Sequence, residues 1–174
     1  MRFILAVLLL TGISVQVCRA ELTERQIESA YVFNFIKFVE WPTDTLKHGD
    51  KIHVCVIGND ELHTSLTTLN GHKAGAYELQ IMPRNNGDDG LGNCHVLYID
   101  DQGQRRLIPI LKSLANKPVL TISDIPNFAE RGGNIGLIYS DDKVLFEINL
   151  ASTRKARLRV SSQMLNLAAN IFGR

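Results

Sequence analysis

The sequence predicts a single α/β domain whose central sheet is mostly parallel, flanked by helices and closed by a C-terminal antiparallel hairpin and a last helix. Three observations carry this. Short apolar runs of strand type alternate with runs whose apolar residues recur at helical spacing, the order expected of parallel strands joined by crossover helices. Late in the chain, Ile135–Tyr139 and Val144–Asn149 flank the polar tetrapeptide Ser140-Asp141-Asp142-Lys143, as in a hairpin. After an N-terminal export segment, residues 21–174 are the right length for one hydrophobic core, with no repeat, linker or low-complexity stretch.

The export segment comes first. Arg2, the apolar run Phe3–Leu10 and then Cys18-Arg19-Ala20 are the charged, apolar and small-residue parts of a secretory signal, with cleavage expected after Ala20. The apolar run is shorter than the roughly 20 residues of a spanning helix. A lipid anchor on Cys18 is the competing reading, but Val15-Gln16-Val17 lacks the small residue that such processing wants. The protein is therefore expected in the periplasm and not embedded in a membrane.

Ile27, Ala30, Tyr31, Phe35, Phe38 and Val39 put a helix over 23–40, with Val32, Phe33 and Ile36 making it apolar on other faces and so largely buried. Trp41-Pro42 stops it, because proline disfavours helical geometry in the residue before it. Strand 52–57 ends at Gly58-Asn59, and Leu62, Leu66 and Leu69 place a helix over 60–69. A strand at 77–82, a polar loop at 84–93 and a strand at 95–99 follow. Leu107, Ile110, Leu111 and Leu114 share a helix face in 104–115, and 119–122 returns as a strand. After the hairpin, Ser161 or Ser162 caps a last helix carrying Met164, Leu165, Leu167, Ala168 and Ile171.

The formal net charge is +1, and loss of Arg2 and Arg19 leaves the exported chain close to neutral, without the basic run that nucleic acid needs. The fold class is Rossmann-like, but neither Gly87-Asp88-Asp89-Gly90-Leu91-Gly92 nor Gly132-Gly133-Asn134-Ile135-Gly136 matches a phosphate-cradling fingerprint. No nucleophile elbow is present, so catalytic residues and a cofactor are not expected. Of three cysteines, Cys55 and Cys94 survive cleavage, and an oxidising compartment favours a disulfide between them. Closing a loop of about 40 residues would contribute roughly 4 kcal/mol. A zinc site made of His53, Cys55, Cys94 and His95 is the alternative, weakened because adjacent Cys94 and His95 point to opposite faces of a strand.

Two surface features stand out. Glu147 is a carboxylate within an apolar strand, where alternation gives it an outward, solvated face beside Leu145 and Asn149. Arg154, Lys155, Arg157 and Arg159, beside Leu150, Val160 and Leu165, make a mixed basic and apolar patch that suits a partner, or else a solvated helix face over core leucines. Trp41, the sole tryptophan, marks a possible small-molecule pocket at the end of the aromatic helix, which would make the protein a sensor or carrier.

Phe35-x-x-Phe38-Val39-x-Trp41-Pro42, Val54-Cys55-Val56-Ile57-Gly58, Cys94–Ile99, Val119–Asp124, Gly132-Gly133-x-Ile135-Gly136, Phe146–Ala151 and Leu158–Ala168, taken in this order and spacing, resemble the YfiR family. The resemblance implies a periplasmic inhibitor that binds the periplasmic sensory part of an inner-membrane diguanylate cyclase and restrains cyclic-di-GMP synthesis and biofilm matrix production. It also implies a homodimer, an outer-membrane lipoprotein able to sequester the inhibitor, and redox sensitivity at Cys55 and Cys94. By the same resemblance the interaction surface falls on Glu147, Leu150, Arg159, Val160 and Leu165. Where some members carry a second cysteine pair, this chain has Ala129 and Gly136.

Overall fold

A computed structural model of the protein describes residues 22–58, 60–84, 89–140 and 143–174. The expected export segment with Cys18, Gly87-Asp88 of the first glycine run and Asp141-Asp142 of the hairpin turn lie outside the described residues. In chain order the elements are α1 (Glu24–Phe38), β1 (Val39–Glu40), β2 (Lys51–Ile57), α2 (Asp60–Thr67), β3 (Lys73–Ala74), β4 (Tyr77–Pro83), β5 (Val96–Ile99), α3 (Leu107–Ser113), β6 (Leu120–Ser123), β7 (Ile135–Ser140), β8 (Lys143–Asn149), α4 (Leu150–Lys155), β9 (Arg159–Val160), α5 (Ser162–Leu167) and β10 (Asn170–Phe172).

The main sheet has the order β10-β8-β7-β6-β5-β2-β4-β3. The five strands from β7 to β4 run parallel, while β7 and β8 form the expected antiparallel hairpin. From β2 the chain goes to its neighbour β4 on one side, and from β5 to β6 on the other. Alternation along β2 sorts its side chains: Val54 and Val56 join the core beneath α1 and α2, while Cys55 and Ile57 join a second core with Leu107, Ile110 and Leu114 of the α3 region. The expectation of a mostly parallel α/β sheet holds.

α1 begins at a capping box, in which the Gln26 amide donates to Thr23 Oγ1 at 3.3 Å and the Thr23 amide donates to Gln26 Oε1 at 2.9 Å. Its buried face carries Val32, Phe35 and Ile36. Phe35 meets Phe146 of β8 edge to face at 5.1 Å, with Tyr31 completing the aromatic group at 6.1 Å from Phe146. The helix stops two residues earlier than its apolar spacing suggests. Val39 and Glu40 are extended and pair with Val160 and Arg159, so these residues exchange helical hydrogen bonds for a ladder that also buries Val39.

The C-terminal third departs furthest from expectation. α4 is an additional helix, capped by Asn149, whose side-chain oxygen accepts from the Ser152 amide at 2.9 Å. The last helix is only α5, and Ile171 is not on it. Ala168 is extended, the Ala169 amide donates to the Phe146 carbonyl at 2.8 Å, and β10 adds in parallel to β8 with Asn170 opposite Glu147. The exposed polar edge of β8 outcompetes further helix by supplying partners to the backbone of 169–172. Before α3, residues Asp101–Arg106 form a 3-10 turn capped by Asp100, so the α-helix itself starts three residues later than its leucine spacing implies.

Candidate functional site

The Cys55–Cys94 disulfide joins the middle of β2 to the residue just ahead of the strand entering β5, with Cα atoms 5.8 Å apart. Both cysteines are buried, at 0 % and 2 % exposure. Beside them the rings of His53 and His95 lie 5.1 Å apart, and the His53 amide donates to His95 Nδ1 at 2.9 Å. Burial holds the His95 imidazole below its ordinary pKa, with the neighbouring His53 adding to the effect. With both sulfurs joined to each other, the alternative zinc set lacks its thiolates.

Glu147 is half-buried rather than fully solvated, because β10 lies along the β8 edge: its Oε1 accepts from Asn170 Nδ2 at 2.7 Å. Leu150 is the first residue of α4 and is half-buried. Arg159 projects from β9 with its side chain 85 % exposed, and its Nε lies 3.7 Å from Glu40 Oε2 on the paired strand. Val160 and Leu165 are half-buried against the core that holds Phe35 and Phe146. The basic run of the sequence is not one helix face. Arg154 lies in α4, with Nη1 donating to the Gly173 carbonyl at 3.5 Å, whereas Arg157 sits beyond that helix in left-handed geometry with Nη1 3.0 Å from Asp44 Oδ2.

Glu147, Leu150, Arg159, Val160 and Leu165 thus come from the consecutive elements β8, α4, β9 and α5. α4 touches both β9 and β10, and β10 lies along β8, whereas α5 touches α1; Glu147 alternates with Phe146 and Ile148 and so faces away from the core against which Val160 and Leu165 pack. Leu167, the last residue of α5, is 72 % exposed.

Trp41 is buried and already engaged: its Nε1 donates to the His95 carbonyl at 3.2 Å and its ring meets Tyr77 edge to face at 6.0 Å. It lines a cleft of about 530 Å³ together with Lys37, Glu40, His48 and Tyr77.

One polar cluster escapes sequence reasoning. Arg25 Nη1 donates to Glu28 Oε2 at 2.9 Å and to Asp124 Oδ2 at 3.2 Å, and the Tyr139 hydroxyl donates to Glu28 Oε1. The fully buried Tyr98 hydroxyl has no partner among the described residues. Burial raises the pKa values of both the Glu28 and Asp124 carboxyls against the pull of Arg25, and that of the Tyr139 hydroxyl, with Glu28 pushing it further. The signal was present: Glu28 precedes Val32 and Phe35 by four and seven residues, placing a carboxylate on the buried stripe of α1. The cluster ties the start of α1 to the carboxyl ends of β6 and β7. It holds two carboxyls, a guanidinium and the Tyr139 phenol, joined to one another.

A family model described as YfiR/HmsC-like matches residues 25–169, and the chain belongs to that family. Its members are periplasmic regulators of diguanylate cyclases. Among solved structures, a conserved domain protein from Vibrio cholerae O1 biovar El Tor strain N16961 is similar in fold, with a TM-score of 0.56 and 11 % identity. The match covers 87 % of this chain and 61 % of that one, so the chain spans under two thirds of the longer protein's length. No helix among the described residues is long and apolar enough to cross a membrane.

Proposed function

We propose that the protein is a periplasmic inhibitor that binds the sensory domain of an inner-membrane diguanylate cyclase and holds it in its inactive state, lowering cyclic-di-GMP and biofilm formation. The family match over 25–169 carries this reading. The contact surface is assigned to Glu147, Leu150, Arg159, Val160 and Leu165, and the contacts of α4 with β9 and β10 support the part of it on β8, α4 and β9. The protein acts as a homodimer after cleavage of residues 1–20, and an outer-membrane lipoprotein relieves inhibition by competing for it. The Cys55–Cys94 bond tunes activity by setting how much folded inhibitor is present. An inhibitor of this kind shifts the cyclase only by its differential affinity for the two cyclase states.

The test is cellular cyclic-di-GMP with and without the gene, repeated in strains lacking candidate membrane cyclases. A rise on deletion that vanishes when one cyclase is absent supports the reading and names the partner. No change where the protein is expressed overturns it and favours a small-molecule sensor. Complementation with Arg159→Ala or Glu147→Ala should fail to restore repression while the protein folds normally; full repression by both variants would remove the proposed surface.

A further inference from the structure

We infer that the chain has a binding site for a small amphipathic carboxylate, separate from the Trp41 cleft and sharing α4 with the proposed partner surface, in the cavity between α3 and α4 at the amino ends of β6 and β7. The cavity holds about 340 Å³, within the range of small-ligand sites. Its walls are apolar on the α3 side, where Ile108, Leu111 and Leu114 face it, and Val119 continues the wall into β6. Ile108 is among the large apolar side chains left exposed.

Three cations from three separate segments line this cavity: Lys112 on α3, Arg131 ahead of the glycine pair, and Lys155 on α4. Among the described residues no carboxylate lines it. All three side chains are exposed, and none makes an ion pair or side-chain hydrogen bond among the described residues. Arg25, Arg157 and Arg159 elsewhere in the chain all have acidic partners. Three unpaired cations around an apolar-walled cavity raise the local concentration of an anion and give its head a partner that the protein itself does not supply.

The base of the cavity is a hydrogen-bonded network. Asn134 Oδ1 accepts from the Thr121 amide at 2.8 Å, Asn134 Nδ2 donates to Ser152 Oγ at 2.9 Å, and Ser152 Oγ donates to the Gly133 carbonyl at 2.9 Å. Because these polar groups are already satisfied, they shape the cavity and leave recognition to its apolar wall and cationic rim. The combination selects a ligand with an apolar body and one anionic head. A bare phosphate would leave the α3 wall unused, and a neutral hydrocarbon would leave the cations unused.

The probe is octanoate, titrated into isotopically labelled, oxidised protein and followed by amide chemical shifts, with 1-octanol as the neutral counterpart of equal chain length. The expected result is saturable shifts confined to 108–116, 119–121, 131–134 and 149–156, with 1-octanol at least about tenfold weaker, the scale of one lost charge-assisted contact. Arg131→Gln should weaken octanoate by a similar factor and leave 1-octanol unchanged, and Ala115→Trp, at an exposed position lining the cavity, should weaken both. Equal affinity for the two probes, shifts that map to the Trp41 cleft or scatter over the surface, or no saturable binding would each overturn the inference. Binding to phosphatidylglycerol vesicles that octanoate does not displace would replace it with a membrane-surface role for the same cations.

Discussion

Breaking the Cys55–Cys94 bond should cost the fold a large part of its stability, and the size of the loss follows from the chain. The cysteines are 39 residues apart, and restricting a loop of that length in the unfolded state is worth about 4 kcal/mol in the chain-entropy account. At roughly 2–4 °C per kcal/mol for a domain near 150 residues, reduction should lower Tm by about 8–16 °C. The Cys55→Ala/Cys94→Ala protein should lose somewhat more. Both sulfurs are buried, so each truncation also leaves a void costing on the order of 1 kcal/mol. Urea unfolding separates the terms: oxidised against reduced wild type reads the loop, and reduced wild type against the double alanine variant reads the voids. The denaturant slope should also rise on reduction, because an uncrosslinked unfolded chain exposes more surface. A drop of less than about 3 °C on full reduction, verified by thiol titration, would refute the reasoning.

Glu28 and Asp124 retain protons in the folded state that the unfolded chain has already released, so their contribution to stability declines as pH rises from the ordinary carboxylate range through their raised values. His95 works oppositely, its contribution falling as pH drops through the ordinary imidazole range; the difference between wild type and Glu28→Gln across pH therefore isolates the Glu28 limb, and a flat difference would contradict it. Gly133→Ala should destabilise by about 1–3 kcal/mol in urea, since its Cβ would stand 2.1 Å from Cε1 of the buried Phe128 ring, which has no space to retreat. Arg159→Ala should change stability by less than about 1 kcal/mol, because its pairing with Glu40 is solvent-exposed on both sides; a larger drop in a circular-dichroism melt would reassign Arg159 from surface to scaffold.

The readable parts of the fold were those where periodicity and burial agree. Strands β2, β5 and β6 are buried at most positions and read as short apolar-rich runs, and the leucines of α2 and α3 recur at helical spacing. The segments misread are those whose conformation is set by a distant backbone. Val39 continues the apolar stripe of α1 but pairs with Val160, and Ile171 continues that of α5 but pairs with Ile148. The side-chain pattern carries no information about which edge carbonyls will be free 120 residues away. Asn149 was a legible cap for α4, overlooked because it also ends an apolar strand. The disulfide followed from compartment and cysteine count. The Arg25–Glu28–Asp124–Tyr139 cluster did not, since its members come from α1 and two strand ends that only the sheet order brings together.

The location of the disulfide constrains how oxidation state can act under the proposed function. Cys55 and Cys94 pack in the core with α3, on the face of β2 opposite Val54 and Val56, whereas Val160 and Leu165 pack against the other core with Phe35 and Phe146. The sheet therefore separates the bond from Val160 and Leu165, whereas Glu147 alternates with Phe146 and Ile148 and lines a recess with Ile125 and Phe128 of the disulfide's own core. Under the proposed function, reduction is expected to act on Val160 and Leu165 through the population of folded chains rather than by reshaping their surface. With about 5–15 kcal/mol in total for a typical domain, losing about 4 kcal/mol leaves a stable protein at the upper end and one with about 15 % of its chains unfolded at the lower. Redox control of this kind has a signature: reduced and oxidised inhibitor should bind the cyclase domain with equal affinity per folded molecule, while the amount of folded inhibitor, and its survival against proteases, falls on reduction.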